Sequence, residues 1–358
     1  WNITTQVLPW GITPWNVNDT DEGGLYGRIM STSKPSTQKF DISFQIQLPH
    51  EWDENLAHFN VGITAGVETT KCSQDWSGKQ REKMDLVIVP SNFTKETLTR
   101  TAGQKNKTPV EVLPEAYFYD LLCDPTDDPL KDITTEKNFL TIGTLTSDNP
   151  EADRKNLISS IIWFMKAFEG KKDVGLIVKT SRGRDTTIDR ELVRKTLRQV
   201  RTAAKIDLDR APKLYMMHGT MTREEMRNVY RSKKLIGYMS ATRGEGFGLP
   251  LLEAAVSELP VVATNWSAHT EFLDGPSFQK VKFDMCPVPP SRIDGTIFVA
   301  GSAWANPREG NFCRKMKSLY ENPKQFKTAA KNLSKTLTKT HSLEALQEKF
   351  ENIMRKYL

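Results

Sequence analysis

Short apolar runs alternate with helix-length amphipathic segments along the second half of the chain, and this alternation restricts the fold more than any other feature. NFLTIGTL (138–145) precedes NLISSIIWFMKAFEG (156–170), and DVGLIVKTS (173–181) precedes ELVRKTLRQVRTAAK (191–205). KLYMMHG (213–219) precedes REEMRNVYRSK (223–233), LIGYMS (235–240) precedes PLLEAAVSE (250–258), and LPVVATN (259–265) follows. Strands joined by helical crossovers of this length run parallel, so the pattern predicts a doubly wound parallel sheet.

The first half repeats the scheme less clearly, with apolar runs DISFQIQLP (41–49), FNVGITAG (59–66), MDLVIVPS (84–91) and VEVLPEA (110–116). SNFTKETLTRTAG between the last two is helical in pattern, with Ser91 or Asn92 to cap it and Gly103 to close it. CDPTDDPLKDITTEK (123–137) is rich in proline and acid and lacks periodicity, as a linker or surface hinge does. The expected organisation is an acceptor-side α/β domain over 1–130, a ligand-binding α/β domain over 136–306, and helices over 307–358. The last of these, SLEALQEKFENIMRKYL, has apolar positions at helical spacing and must pack on something, back across the hinge in this reading. The fold class is α/β: two Rossmann-like doubly wound domains facing across a cleft, with ligands at the carboxyl ends of their strands.

A chain of 358 residues suits two such cores. No apolar run approaches the eighteen or so residues of a membrane helix, which predicts no membrane insertion. The start WNITTQVLPW lacks the features of a signal peptide, and the four cysteines, Cys72, Cys123, Cys286 and Cys313, form no CxxC pair. Reduced thiols and a cytoplasmic setting, in a bacterium or a phage-infected host cell, are expected. Residues 1–135 hold 12 Lys and Arg against 19 Asp and Glu, and the remainder holds 38 against 25. The basic half is therefore the one suited to an anion, although solvated helix faces account for much of its charge.

TRGEGFGLPLLEAAVSELPVV (242–262) follows the strand LIGYMS directly. Gly244, Gly246 and Gly248 allow backbone amides to approach a ligand, and Pro250 suits the first position of a helix. A helix start favours an anion, and a pyrophosphate fits better than an apolar ligand. Glu253 can accept from both hydroxyls of a ribose, while Glu245 can reach a sugar hydroxyl on the other side of the anion. Two carboxylates bracketing an anion cradle suggest a sugar on a nucleotide diphosphate. A Gly-rich turn with a dipole-stabilised Glu253 is the plainer alternative.

GEGFGLPLLEAAVSELPVV resembles the donor-binding motif of GT-B glycosyltransferases of the family 4 type, in which two Glu separated by seven residues surround GFGLP. HGTMTREEMRNVYRSKKLIGYMS and RKNLISSIIWFMKAF are similar to flanking segments of that family, so the resemblance spans about residues 138–275. It implies that Glu253 holds the donor ribose and Glu245 the donor sugar, with the Phe247, Gly248 and Leu249 amides on sugar and phosphate. It also implies that Lys155, with Arg154, neutralises the leaving pyrophosphate, with Lys179 and Arg182 as second-choice contacts. Gly143 closes the first strand, and His218 and Gly219 lie where a base would be read by backbone groups. The sequence departs from the family at Gly143-Thr144, where an Arg is usual after the Gly, and at Ser257-Glu258, where a Gly is common.

The implied chemistry is retaining transfer from a nucleotide sugar, UDP- rather than GDP-linked, with no permanently bound cofactor and no metal. Asp19-Thr-Asp21 and Asp207-Leu-Asp209 do not follow buried strands and are not read as metal sites. On the acceptor side, Glu68 is expected to orient the acceptor hydroxyl, with His50 and the loop DEGGLYGR (Gly23, Gly24, Arg28) as further members. FNVGITAGVETTKCS and MDLVIVPSNFTKETL resemble the N-terminal half of glycosyltransferases often encoded by bacteriophages. That resemblance implies double-stranded DNA carrying hydroxymethylated bases as one acceptor, with a surface glycan or small molecule equally open. A non-catalytic nucleotide-sugar or nucleic-acid binding module is the reading from a different class.

Overall fold

The computed structural model describes residues 2–8, 18–34, 38–103, 107–145 and 149–358. After helix α1 (Asp21–Thr32), the first half builds a sheet from β1 (Phe40–Ile46), β2 (Ala57–Ile63), β3 (Leu86–Val89) and β4 (Val110–Val112). Its order is β1-β2-β3-β4, with every pair parallel. Helix α2 (Asn92–Ala102) joins β3 to β4. Ser91 caps it by accepting from the Thr94 amide, and Gly103, at φ 68°, ends it in a conformation that favours glycine.

The second sheet contains β5 (Lys137–Ile142), β6 (Val174–Thr180), β7 (Lys213–His218), β8 (Leu235–Ser240), β9 (Val261–Thr264) and β10 (Phe278–Val281). These strands, again all parallel, run in the order β10-β9-β8-β5-β6-β7. The crossovers α3 (Leu157–Ala167), α4 (Thr187–Ala203), α5 (Arg223–Tyr230) and α6 (Leu249–Val256) cover its faces. β6, VGLIVKT, is buried at every position, as a strand covered on both faces requires. Period two divides its side chains: Leu176 and Val178 join a core with Phe139 and Phe164, while Ile177 joins another with Leu140 and Leu252.

β10 and a two-stranded antiparallel ribbon, β11 (Phe283–Pro287) with β12 (Ala303–Pro307), were not among the predicted strands. Both strands of the ribbon end in proline, and their burial is irregular, so neither alternation nor an unbroken apolar run marks them. Three helices close the chain, α7 (Glu309–Glu321), α8 (Pro323–Thr340) and α9 (Leu343–Met354). α8 lies on α6, where Ser334 Oγ donates to Val256 O at 2.7 Å. α9 returns to the first sheet. Ile353 and Met354 pack with Val61, Leu86 and Ile88, and the Phe350 ring stands 5.6 Å from Phe44.

The stretch 123–137, expected as a linker or surface hinge, connects the first sheet to β5, and it is anchored: Leu130 is buried in the core under the second sheet, with Ile133 packed against it. Isolated apolar residues among acids escape periodicity even when they are buried. DEGGLYGR, expected as a loop, lies in α1 instead. Thr5 ties down the end of that helix, its Oγ1 donating to Ile29 O at 2.6 Å and its amide to Thr32 O at 3.1 Å. Gly23 and Arg28 are exposed there, and among the described residues no atom beyond the helix's own backbone lies within 4 Å of where a Cβ on Gly23 or Gly24 would stand.

Candidate active site

The order of the second sheet reverses between β5 and β8, and in such sheets the crevice at the carboxyl ends of those two strands receives ligands. β8 runs into the loop 241–248, and β5 leads through Arg154 and Lys155 into α3. The fold thereby brings both cations to Glu245. Lys155 Nζ lies 2.8 Å from each Glu245 carboxylate oxygen, and Arg154 Nη1 lies 3.1 Å from Oε2 and 2.7 Å from Gly244 O. Thr242 Oγ1 donates to Glu245 Oε1 at 2.8 Å, and the Glu245 amide donates to Ser267 Oγ at 2.9 Å. Burial alone would raise the Glu245 pKa, but Lys155, Arg154 and the Thr242 hydroxyl hold it down at about 2.

Arg154 also crosses to the first half. Its Nε stands 2.8 Å from Glu68 Oε2, in the loop after β2. Burial lifts the Glu68 pKa, and the Arg154 charge opposes that shift. Two carboxylates and two cations therefore form one chain, Glu68–Arg154–Glu245–Lys155, and their formal charges cancel.

The glycines of the loop have a different neighbour from the one expected. A Cβ on Gly244 would stand 2.1 Å from Glu68 O, and one on Gly246 would stand 2.2 Å from Ala65 O. These positions are bare because the backbone of the first half lies against them. Ser91 Oγ donates to Gly246 O at 2.8 Å across the same junction. Nearby, the Glu271 carboxylate accepts from the amides of Asn92 and Phe93 at 2.9 and 2.7 Å, at the N-terminus of α2.

Gly248, at φ 104°, turns the chain into α6 and accepts at its carbonyl from the Leu251 and Leu252 amides. The helix starts at Leu249, so Pro250 is its second residue rather than its first, and Glu253 its fifth. Tyr230 at the end of α5 donates its hydroxyl to Glu253 Oε2 at 2.8 Å. Burial raises the Glu253 pKa to about 7, against the lowering effect of that bond and of the Arg223 charge. The Phe247 side chain turns inward, its ring 5.2 Å from Phe272, while Leu249 is partly exposed.

Gly143 lies beside Lys155, whose Cβ is 3.7 Å from the position a Cβ on Gly143 would take. Lys179 near the end of β6 is buried and donates to Gly219 O at 2.5 Å, and its desolvation lowers its pKa. His218 Nε2 is 3.7 Å from Asp185 Oδ1. Arg182 lies in the same loop as Asp185, and its amide points to Asp185 Oδ1 at 3.4 Å. His50 is exposed in the turn after β1, and its Nδ1 accepts from Trp76 Nε1 at 3.1 Å. Thr64 Oγ1 and Thr180 Oγ1, just past and at the carboxyl ends of β2 and β6, are buried without a hydrogen-bond partner among the described residues, as is Asn156 Oδ1 at the start of α3. Buried polar atoms seldom stay unpaired, so they mark the crevice edge as a place for polar ligand atoms.

Thr242, Ser267 and Tyr230 were absent from the sequence-based site. Thr242 carried a signal, its Thr-x-x-Glu spacing to Glu245, whereas Ser267 and Tyr230 carried none. Among the described residues no group of three or more His, Cys, Asp or Glu side chains is placed to hold a metal ion, and no helix is long and apolar enough to cross a membrane.

Residues 210–274, which contain Glu245 and Glu253, match the family model described as Glycosyl transferases group 1. No curated protein matches the chain in sequence. Solved structures do match in fold. The pneumococcal O-GlcNAc transferase GtfA, in complex with UDP and GlcNAc, is 14% identical at TM-score 0.51, over 83% of this chain and 52% of its own. Anabaena HepE, in complex with UDP and glucose, is 13% identical at TM-score 0.58, over 83% and 72%. The α,α-trehalose 6-phosphate synthase from Burkholderia multivorans is 11% identical at TM-score 0.61, over 88% and 72%. This chain spans about half the length of the pneumococcal structure. The architecture is that of the GT-B glycosyltransferases, and the segment carrying both glutamates is similar to the group 1 glycosyltransferase model.

Proposed function

We propose that this chain is a glycosyltransferase that moves a sugar from a nucleotide diphosphate, UDP in the first instance, to an acceptor hydroxyl. The observation that carries the proposal is the meeting of Lys155 and Arg154 on Glu245 at the switch point, Glu245 itself lying within the residues 210–274 that match the glycosyltransferase family model. The UDP present in the GtfA and HepE structures supports the choice of base.

Transfer breaks the bond from the sugar to the diphosphate, leaving positive charge on the sugar and negative charge on the leaving group. Lys155 and Arg154 are the cations placed to stabilise that negative charge. Glu245 and Glu68 pair with these two cations, and a diphosphate at the switch point would share Lys155 with Glu245. Glu245, which Lys155, Arg154 and the Thr242 hydroxyl keep ionised against its burial, is an acceptor for a hydroxyl of the donor sugar. Glu253 accepts the ribose hydroxyls, and Glu68 orients the acceptor. Retention of anomeric configuration and independence from metal have the family resemblance as their support, and the cytoplasmic setting has the scattered cysteines without a CxxC pair. Hydroxymethylated pyrimidine in DNA as acceptor has the likeness of residues 59–73 and 84–98 to phage enzymes as its support.

The test is mass spectrometry of nucleosides from hydroxymethylcytosine-containing DNA incubated with the protein and a pool of UDP- and GDP-sugars. A sugar mass on the base, absent with Glu253→Ala, supports transfer and acceptor together, and the anomeric coupling constant of the product reads the stereochemistry. Donor consumption that needs Glu253 but leaves the DNA unmodified moves the acceptor to a glycan or small molecule. No donor consumption, with EDTA or with added magnesium, refutes the enzyme in favour of a binding module.

A further inference from the structure

A second groove, of about 640 Å³, lies at the opposite end of β8 from the candidate active site. Its floor includes Leu235 and Ile236, the first residues of β8, whereas the loop with Glu245 follows the last residue of that strand. Arg231 and Lys233 line it from the turn before β8, and Lys324, Lys327 and Lys331 line it from α8. The three lysines recur at spacings of three and four, so they share one side of the helix. Five cations face a single carboxylate among the lining residues, Glu258, whose Oε2 is 3.6 Å from Lys327 Nζ.

Two further features point to an anion. Ser257 lines the groove at 2% exposure, and its Oγ has no hydrogen-bond partner. A buried hydroxyl left unpaired is costly, and an incoming acceptor oxygen would satisfy it. The 18-residue helix α8 also begins in the groove wall at Pro323, so its positive end borders the same space. Burial lowers the Lys327 pKa, and the neighbouring Arg231 and Lys331 charges add to that effect against Glu258.

We propose that this groove is a binding site for a phosphorylated anion, with Lys324, Lys327, Lys331 and Arg231 supplying the charge and Ser257 Oγ the buried donor. An excess of four positive charges suits a phosphate ester or oligophosphate better than a single carboxylate, because several oxygens can be shared among several donors. The site is joined to the candidate active site by Tyr230, which lines the groove and holds Glu253 through its hydroxyl.

The experiment is calorimetric titration with inorganic tripolyphosphate, with circular dichroism to verify folding of each variant. Lys327→Gln/Lys331→Gln is expected to weaken binding about tenfold or more, and Ser257→Ala several-fold, with the thermal midpoint kept. Lys155→Gln in the candidate active site is expected to keep the binding event that Lys327→Gln/Lys331→Gln loses, and to weaken only an event at the candidate active site. Absence of binding by the parent overturns the proposal, as does a loss of binding found only in Lys155→Gln. Phosphatidylglycerol vesicles separate the sources. Vesicle binding that needs the same lysines assigns a lipid headgroup, and tripolyphosphate binding without vesicle binding assigns a soluble phosphate.

Discussion

The hydroxyl of Tyr230 donates to Glu253 Oε2 at 2.8 Å, in surroundings that hold that carboxyl near neutrality, with a pKa of about 7. Only the carboxylate can accept from both hydroxyls of a ribose, so the affinity for UDP should fall as pH drops through 7. Tyr230→Phe removes a bond that favours the ionised form, and the midpoint of this dependence should move upward by roughly half a unit to one unit. Calorimetric titration with UDP between pH 5.5 and 8.5 measures it. A profile identical in Glu253→Gln would remove Glu253 from the donor site.

The same residue makes a stability prediction of opposite sign to that of most carboxylates. Its folded pKa of about 7 exceeds the ordinary glutamate value of 4.5. Folding is therefore unpenalised below about pH 4.5, and stability is lost as pH rises from there through 7. Above pH 7 the penalty reaches up to about 3 kcal/mol. Glu253→Gln should match the parent in urea midpoint at pH 4 and exceed it at pH 8. Equal midpoints at both values would show that Glu253 ionises freely in the folded chain.

Arg154 joins Glu68 of the first half to Glu245 of the second at 2.8 and 3.1 Å. Arg154→Gln would leave Glu68 buried without its cation, while Lys155 still pairs Glu245. The Glu68 side chain is 21% exposed and its burial already favours the neutral form, so the loss should fall below that of a fully buried pair, at about 1–3 kcal/mol. Glu68→Gln in the same chain should recover much of that loss, because both halves of the pair are then neutral. Urea denaturation of the two single variants and the double variant completes the cycle. Additive losses would mean that the two residues do not interact.

The elements of the second sheet were legible because each strand carries one continuous apolar run and each helix its own period. LIGYMS was predicted over 235–240, the span that β8 occupies. The pairing of Glu245 with Lys155 was not legible, since the two residues lie 90 positions apart and meet only once β5 and β8 are neighbours. The sequence offered Gly244 and Gly246 as room for a ligand, and what the fold places against them is backbone of the first half. A bare glycine announces that something approaches closely. It does not say what approaches.

That contact gives the last prediction. A Cβ at Gly246 would stand 2.2 Å from Ala65 O and 3.3 Å from Val67 O, and backbone on both sides leaves no flexible side chain to move aside. Gly246→Ala must therefore push the loop 241–248 away from the first half, at about 1–3 kcal/mol, the range for overpacking a filled site. The displacement also moves Glu245, whose backbone adjoins Gly246, away from Glu68, so donor turnover should fall more than donor affinity. Gly310 supplies the control: it lies in α7, and nothing stands within 4 Å of its Cβ position. Gly310→Ala should leave turnover unchanged and keep or slightly raise stability, because alanine favours the helix. Initial rates over a range of UDP-sugar concentrations, with thermal midpoints for both variants, measure the contrast. Wild-type kcat in Gly246→Ala would mean that closure of the two halves at this loop is not needed for transfer.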